Sequence, residues 1–330
     1  MKDHIKFIDL FCGAGGFSRG FVEEGFDPIL AVDNMESIAE AYRLNFPKSR
    51  VIVEDIKNIR GEDIEAYVGE VDVVIGSPPC EPFTAANPNR RKSPIDRLYD
   101  DLTGRLVLDF IRLVGDLRPQ VFVMENVPAL MEGQLKSYLI REFVRAGYPK
   151  IYFNLLKAED YGTSSHRLRL FISNLKLKPT PACRKVVVAE AIGDLPPPNS
   201  IHYIPNHEYI PLSHRKQRKI SRLRWGEALV RYTGSGRKVY YNYVKLHPYK
   251  IAPTVMGSSR FIHPFEDRLL TVREQARLMG FPDYHIFYGG RDVQYNEVGE
   301  AVPVTLAKAI AREVKRGLEN DEDRSDTSST

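Results

Sequence analysis

Cysteine is scarce in this 330-residue chain: Cys12, Cys80 and Cys183 are all there is, each far from the next. An odd count so spread out excludes a fully paired disulfide framework, and with no metal-ligand spacing among the cysteines no zinc site or other metal centre is expected. No apolar run reaches the length of a membrane span. The opening "MKDHIKFIDLF" holds one short strand-like stretch before glycines and reads as the start of a fold, not as a signal peptide. Most of the eight histidines lie beyond residue 200 with no triad-like context, which argues against a cysteine hydrolase. Internal repeats are lacking. What remains is the composition of a soluble globular protein, 43% hydrophobic and 27% charged, enough for one large domain or two ordinary ones. A reducing cytoplasm is the expected location.

The first 178 residues alternate strand and helix signals. "IKFIDLF", "PILAVD", "RVIVED", "VDVVIG" and "VFVMEN" are short apolar runs of the kind buried on both faces of a sheet, and "MESIAEAYRLNF" and "LVLDFIRLVGDL" carry helical periodicity between them. This alternation predicts an α/β fold, a doubly wound, mostly parallel sheet of Rossmann-like type. The pattern breaks in the proline-rich "KLKPTPACRK" and "DLPPPNS". Residues 179–278 are expected to form a second, smaller domain of irregular β structure. Residues 279–318 would be a hinge and a closing helix returning to the first domain, and the acidic 319–330 a disordered tail.

Glycines follow the first strand in "DLFCGAGGFSRG", but Ser18 stands where the dinucleotide fingerprint needs its third glycine, which counts against NAD or FAD. The tight turn still offers backbone N–H groups to a ligand at the strand's carboxyl end. Asp33 ends the second strand, placed for ribose hydroxyls, and Asp55 ends the third, placed for an adenine amino group. Cys80, in "SPPCEPF", follows the fourth strand. Pro78, Pro79 and Pro82 restrict the backbone around it, so its thiol is presented on a rigid loop. The next buried strand brings Glu125 and Asn126 to the same edge. A cysteine with a carboxylate and no nearby histidine is a nucleophile for something other than peptide hydrolysis.

"DLFCGAGGFSRG", "SPPCEPF", "ENVP", "RLRLF", "LTVREQARLMGFPD" and "GEAVP" together resemble, in order and spacing, the motif set of the cytosine-5 DNA methyltransferases, over nearly the whole chain except residues 180–250 and the tail. The resemblance implies DNA (cytosine-5-)-methyltransferase activity with S-adenosylmethionine (S-adenosyl-L-methionine) as methyl donor. Cys80 would add to carbon 6 of an everted cytosine, Glu125 would bond its ring nitrogen 3 and exocyclic amine, and Arg169 and more loosely Arg167 would hold its carbonyl. The cofactor would lie against Phe11, Gly13, Ala14, Gly15, Gly16, Asp33, Asp55, Ile56, Pro78, Leu106, Glu300, Ala301 and Val302. Three residues depart from the family pattern: Glu81 for Gln, Ser165 for Gln and Glu300 for Asn. An ionised Glu81 beside Cys80 would raise the thiol's pKa.

The partner implied is duplex DNA. Between Ser213 and Lys250 eleven basic residues face one acid, Glu227, and are interleaved with Trp225 and tyrosines. This segment occupies the place of the family's target-recognition domain, and Arg215, Lys216, Arg218, Lys219, Arg222, Arg224, Arg237 and Lys238 are the candidate phosphate contacts. Arg90, Arg91 and Lys92, in a loop resembling the one that closes over DNA, are expected to join them. The resemblance also allows a transfer-RNA methyltransferase on the same fold, although its Cys-Phe-Thr signature is lacking, or a catalytically silent DNA-binding relative. A monomer is expected, and a cognate restriction endonuclease acting separately is a partner the resemblance allows.

Overall fold

The computed structural model describes residues 5–85, 87–234 and 239–327. The larger unit runs β1 (Ile5–Leu10), α1 (Gly16–Val22), β2 (Phe26–Asp33), α2 (Glu36–Asn45), β3 (Arg50–Val53), α3 (Gly61–Val68) and β4 (Val73–Gly76). It continues with α4 (Pro94–Tyr99), α5 (Leu106–Leu117), β5 (Val121–Asn126), α6 (Leu135–Arg145), β6 (Tyr152–Lys157) and β7 (Leu168–Ser173). The seven strands lie in the order β3-β2-β1-β4-β5-β7-β6. The first five are parallel, and β7 runs antiparallel to both its neighbours. Every residue of β4 and β5 is buried, as strands covered on both faces must be.

Alternation along the strands divides the core in two. Ile8, Leu10, Val74 and Phe122 pack with α5 and α6 residues such as Phe110, Val114 and Phe143 on one face. Phe7, Val73, Val121 and Phe171 pack on the other with Phe17 and Phe21 of α1 and with a helix from the far end of the chain. Chain order reverses between β1 and β4, so the carboxyl ends of these strands frame the crevice where open α/β sheets hold ligands.

The remaining elements are α7 (Val188–Ile192), α8 (His214–Ile220), β8 (Ala228–Thr233), β9 (Val239–Lys245), β10 (Phe261–Ile262), α9 (Val272–Leu278), α10 (Arg291–Glu300) and α11 (Val304–Thr327). A three-stranded sheet, β10-β9-β8, sits with α7, α8 and α9 around Ile220, Val244, Phe261 and Leu278. The segment expected as irregular β structure is thus a small sheet with helices. Its basic residues masked a helix whose start is capped by Ser213, which accepts from the Lys216 N–H at 3.3 Å.

The tail departs from expectation. Residues 319–327, expected to be disordered, continue α11 as helix, and residues 328–330 lie outside the described residues. An acidic, apolar-poor composition argues against a buried core but not against elongation of a helix already nucleated. Leu306, Ala307, Ile310 and Val314 anchor α11, and each further residue meets only the small cost of propagation.

α11 lies so close to α1 that only glycine fits at position 20. A Cβ there would stand 2.5 Å from the Ala307 Cβ and 2.5 Å from the Lys308 nitrogen. Gly20→Ala is therefore expected to destabilise the protein by about 1–3 kcal/mol through overpacking. Urea unfolding of the two proteins measures this, and equal midpoints would show that the contact is looser than described.

Candidate active site

The turn after β1 alternates into left-handed backbone at Phe11 (φ 62°), Gly13 (φ 55°) and Gly15 (φ 85°), and its amides tie it to the fold: the Cys12 N–H donates to the Val32 carbonyl and the Gly15 N–H to the Cys12 carbonyl, each at 3.0 Å. Only glycine suits position 15, because a Cβ would meet the Phe46 ring at 2.3 Å. Gly16 is backed by the last motif, with the Val302 carbonyl and the Ala301 Cβ 2.7 and 2.9 Å from where its own Cβ would be. The chain's far end and its first turn therefore form one wall. Asp33 is tied to that wall: Oδ2 accepts from the Gly13 N–H at 3.1 Å and Oδ1 from the Met35 N–H at 3.1 Å. Burial pushes its pKa up against the pull of these bonds.

Ser18, where a dinucleotide site would have glycine, donates to Asp9 Oδ2 at 2.5 Å and shares a hydrogen bond with the Tyr42 hydroxyl at 2.8 Å. The hydroxyl is thus a structural link beneath the turn. Burial pushes the Asp9 carboxyl up to about 7. The Ala14 carbonyl accepts from Nε2 of His285 at 2.9 Å. Arg19 Nε donates to the other ring nitrogen at 3.3 Å, so the imidazole is neutral, in keeping with a burial that pushes its pKa well below the ordinary value. Arg273, fully buried, donates to the carbonyls of His285, Pro282 and Pro205. The chain around the small sheet is coupled in this way to the glycine turn.

Asp55 and Ile56 open a short 3-10 turn, Ile56–Asn58. The Asp55 carboxylate accepts from the Lys57 N–H at 3.1 Å and so caps that turn, while the Ile56 side chain is buried. Leu106 begins α5, half-buried against the same core. Pro78 is joined to the neighbouring strand: its carbonyl accepts from Asn126 Nδ2 at 3.0 Å. Asn126 is fully buried, and its Oδ1 accepts from the Val127 N–H at 2.8 Å. One amide thereby fixes the loop bearing Cys80 to the strand bearing Glu125.

Cys80 is half-buried at the mouth of that loop, where its carbonyl accepts the N–H groups of Phe83 and Thr84, each at 3.0 Å. Burial pushes the thiol pKa up, the Arg169 charge pulls it down, Glu125 pushes it up, and Arg167 and Glu300 act in the same opposed ways. The sulfur thus lies within electrostatic reach of all four. Glu125, the last but one residue of β5, lies opposite Phe171 of β7, and Arg169 lies two residues along on the same face, so the pair meets diagonally. Arg169 Nε stands 2.9 Å from Glu125 Oε1, with side chains 13% and 7% exposed. Such a buried pair holds the carboxylate in one orientation.

Arg167 differs from its neighbour. Its guanidinium donates to the carbonyls of Val255 (2.9 Å), Gly299 (2.8 Å) and Glu300 (3.4 Å), and Nε, buried, has no partner. Burial pushes it down to about 9. Ser165, in the place of a Gln, bonds the same segment: its hydroxyl donates to the Pro253 carbonyl at 3.0 Å and accepts from the Val255 N–H at 3.2 Å. Both residues join β7's approach to the chain that follows β9. Glu300 is open to solvent yet feels Arg167, Asp33 and Glu81, as a residue on the wall of a cleft would.

The proposed phosphate contacts divide. Arg90 turns inward, donating to the Phe83 carbonyl at 3.0 Å and pairing with Glu132 at 3.4 Å. Arg91 and Lys92 are exposed, and their carbonyls accept from Arg97, which is buried and paired with Glu132 at 2.7 Å. Arg215, Arg218 and Lys219 stand exposed on α8, Arg222 and Arg224 are exposed beyond it, and Lys216 lies 3.8 Å above the Tyr243 ring. A cavity of about 300 Å³ opens between α8 and β8–β9, lined by Arg215, Lys216, Lys219 and Tyr243 among others. Arg237 and Lys238 lie outside the described residues. Asn126, Arg97 and His285 were not singled out from sequence for these bonds. Only Asn126 carried a signal, its place directly after Glu125 in "ENVP".

Comparison with known proteins follows the same geometry. The family described as C-5 cytosine-specific DNA methylase matches residues 5–316. Two provisionally named type II methyltransferases of Methanocaldococcus jannaschii are 51% and 46% identical, the first (M.MJ0563P) over 95% of this chain and 100% of its own length, the second (M.MjaORF1200P) over 95% and 99%. Type II methyltransferase M1.HphI of Haemophilus parahaemolyticus is 35% identical over 94% and 86%. Among solved structures, a provisionally assigned DNA modification methyltransferase from an Escherichia coli prophage superposes with a TM-score of 0.77 at 25% identity, covering 96% of this chain and 99% of that one. With Cys80, Glu125 and Arg169 gathered at the carboxyl edge of such a sheet, this chain belongs to the C-5 cytosine-specific DNA methylases and is a DNA cytosine-5 methyltransferase.

Proposed function

We propose that the chain methylates cytosine in duplex DNA through a transient covalent bond from Cys80, with S-adenosylmethionine bound in the crevice between β1 and β4. The observation that carries this reading is the meeting of Glu125 and Arg169 at 2.9 Å beside a thiol that feels both charges. The crevice suits the cofactor: the turn at Phe11–Gly15 is held in left-handed backbone by its own amides, Asp33 is fixed by the Gly13 amide, and buried carboxyl oxygens on α10 are unpartnered. Phe11, Gly13, Ala14, Gly15, Gly16, Asp33, Asp55, Ile56, Pro78, Leu106, Glu300, Ala301 and Val302 are the residues that would hold it. When bound, it supplies the methyl group.

The protein's own residues do the rest. The everted cytosine leaves the stack at a cost of about a few kcal/mol. Cys80 sulfur, as thiolate, forms a bond to carbon 6. As sulfur adds, ring nitrogen 3 takes up a proton from solvent, and it and the exocyclic amine both donate to the Glu125 carboxylate held by Arg169, so the electron pair displaced by sulfur builds at carbon 5. After carbon 5 is alkylated it loses its proton to solvent water, the electrons of that bond restore the ring double bond, the carbon 6–sulfur bond breaks to return the thiolate, and nitrogen 3 gives its proton back to solvent. Arg169 also faces the base carbonyl, whereas Arg167 contributes by joining segments. Residues 1–178 form the catalytic unit in this reading, 179–278 the target-recognition unit, and 279–318 the return to the first. Free cysteines fit a reducing, cytoplasmic setting, and among the described residues no helix is long and apolar enough to cross a membrane. We take the working unit to be a monomer, and any cognate endonuclease to be a separate protein.

Two measurements test the reading. Cys80→Ser is expected to lower methyl incorporation into duplex DNA by about three orders of magnitude or more, as loss of a covalent nucleophile does, while cofactor binding persists. Turnover equal to the parent's would overturn the mechanism, and preference for transfer RNA over duplex DNA at matched salt would overturn the substrate. Replacing Arg215, Arg218 and Lys219 together by Gln is expected to reduce the slope of log affinity against log salt, by about 0.9 for each phosphate no longer neutralised. An unchanged slope would remove α8 from the interface.

A further inference from the structure

α10 presents two acids one turn apart, Glu297 and Glu300, at a spacing that puts them on one face. Both feel the charge of Asp33 at the end of β2, and Ala301 and Val302, directly after α10, lie against Gly16, so the two acids lie near the glycine turn. Gly289, just before α10, lies 3.8 Å by its would-be Cβ from Ser37 in the segment after Asp33, which fixes the same approach. Glu297 is only 4% exposed, yet neither carboxyl oxygen has a hydrogen-bond partner among the described residues. Burial, the largest effect, pushes the acid up to about 8, against the Tyr288 backbone N–H, which favours the charged form. The charges acting on the two acids are Asp33 from β2, Glu81 from the Cys80 loop and Arg167 from the approach to β7. Arg167 is the single cation of this set, and its guanidinium is committed to the carbonyls of Val255, Gly299 and Glu300.

A buried acid with no partner is costly unless something meets it. Four carboxyl groups against one engaged guanidinium leave this wall short of positive charge. The cofactor carries a sulfonium cation, and its product, after the methyl group has left, is a neutral thioether at the same atom. The remainder of the two molecules is alike, including the amino and carboxylate groups.

We propose that Glu297 and Glu300 make this wall of the cofactor cavity charge-selective, favouring the sulfonium donor over its thioether product so that methyl transfer itself loosens the hold on what remains. The proposal rests on the cofactor reading above and adds to it a reason for acids on this face. The sign of its pH dependence follows from the raised carboxyl groups. Below about neutral pH Glu297 is protonated and offers no charge to a cation. As pH rises toward about 8 it ionises, sooner with the cation present, and donor affinity rises before levelling off above that pH.

Isothermal titration of the whole protein with S-adenosylmethionine and with S-adenosylhomocysteine, at pH 6 and pH 8.5, tests this. The ratio of the two affinities is expected to rise about tenfold between these pH values in the parent and to rise far less in Glu297→Gln/Glu300→Gln. Titration of the ligands' own amino groups enters parent and variant alike and cancels in that comparison. A ratio independent of pH in the parent, or changing equally in the variant, overturns the proposal and leaves the cofactor reading standing. Failure of both compounds to bind the parent overturns the cofactor reading and this inference with it. Should the double variant not fold, Glu300→Gln alone, at an exposed position, is expected to show a smaller flattening of the ratio, and no flattening would count against the proposal.

Discussion

The site depends on one constraint, the locking together of two adjacent strand ends. β4 and β5 are buried along their whole length and cannot shift without breaking the core. At their carboxyl ends Asn126 bonds the Pro78 carbonyl, and Arg169 holds Glu125 from the antiparallel β7. Cys80 and Glu125, the nucleophile and the carboxylate of the proposed mechanism, thus stand on a shared rigid frame. Positioning of this kind accounts for much of the rate an enzyme can gain without moving parts. The antiparallel turn of β7 matters here, because it brings that strand's first residues, not its last, to the catalytic edge.

The same economy of contacts joins the two units. Segment 163–167 leads into β7 and is bonded along 252–255: His166 N–H donates to the Ala252 carbonyl, Ala252 N–H to the Ser164 carbonyl, and Ser165 and Arg167 add side-chain bonds. Arg273 and His285 form a second link, ending on the Ala14 carbonyl of the glycine turn. Both links use buried polar groups whose partners are main-chain carbonyls. They fix geometry without depending on the identity of the residues they meet.

Much of the fold was readable because the central strands are nearly pure apolar runs and α5 has a strong apolar stripe from Leu106 to Leu117. Other elements were hidden for definable reasons. α10 packs Tyr295, Glu297 and Val298 inward, and an acid on a buried face defeats a hydrophobic pattern. α8 is four-sevenths basic, so its charge read as surface before its helix did. The inward turn of Arg90 was unreadable because its partner, Glu132, lies 42 residues away and is brought near only by tertiary packing. That Cys80 follows β4 and that Glu125 and Asp33 lie at the carboxyl ends of β5 and β2 was legible from position alone, whereas the bond of Asp55 to a turn N–H and those of Arg167 to carbonyls were not. Position along a strand is encoded locally; the partner a long side chain reaches is not.

The account's central claim is a bond between Cys80 sulfur and carbon 6 of the target base. Fluorine at carbon 5 blocks the proton loss that would release the enzyme, so duplex DNA carrying 5-fluorocytosine at the target should capture that bond. Mass spectrometry of the digested complex is predicted to find the nucleotide on the peptide that contains Cys80. Intact, unmodified Cys80 peptide after full methyl transfer to the fluorinated site, or attachment at Cys12 or Cys183, would contradict it.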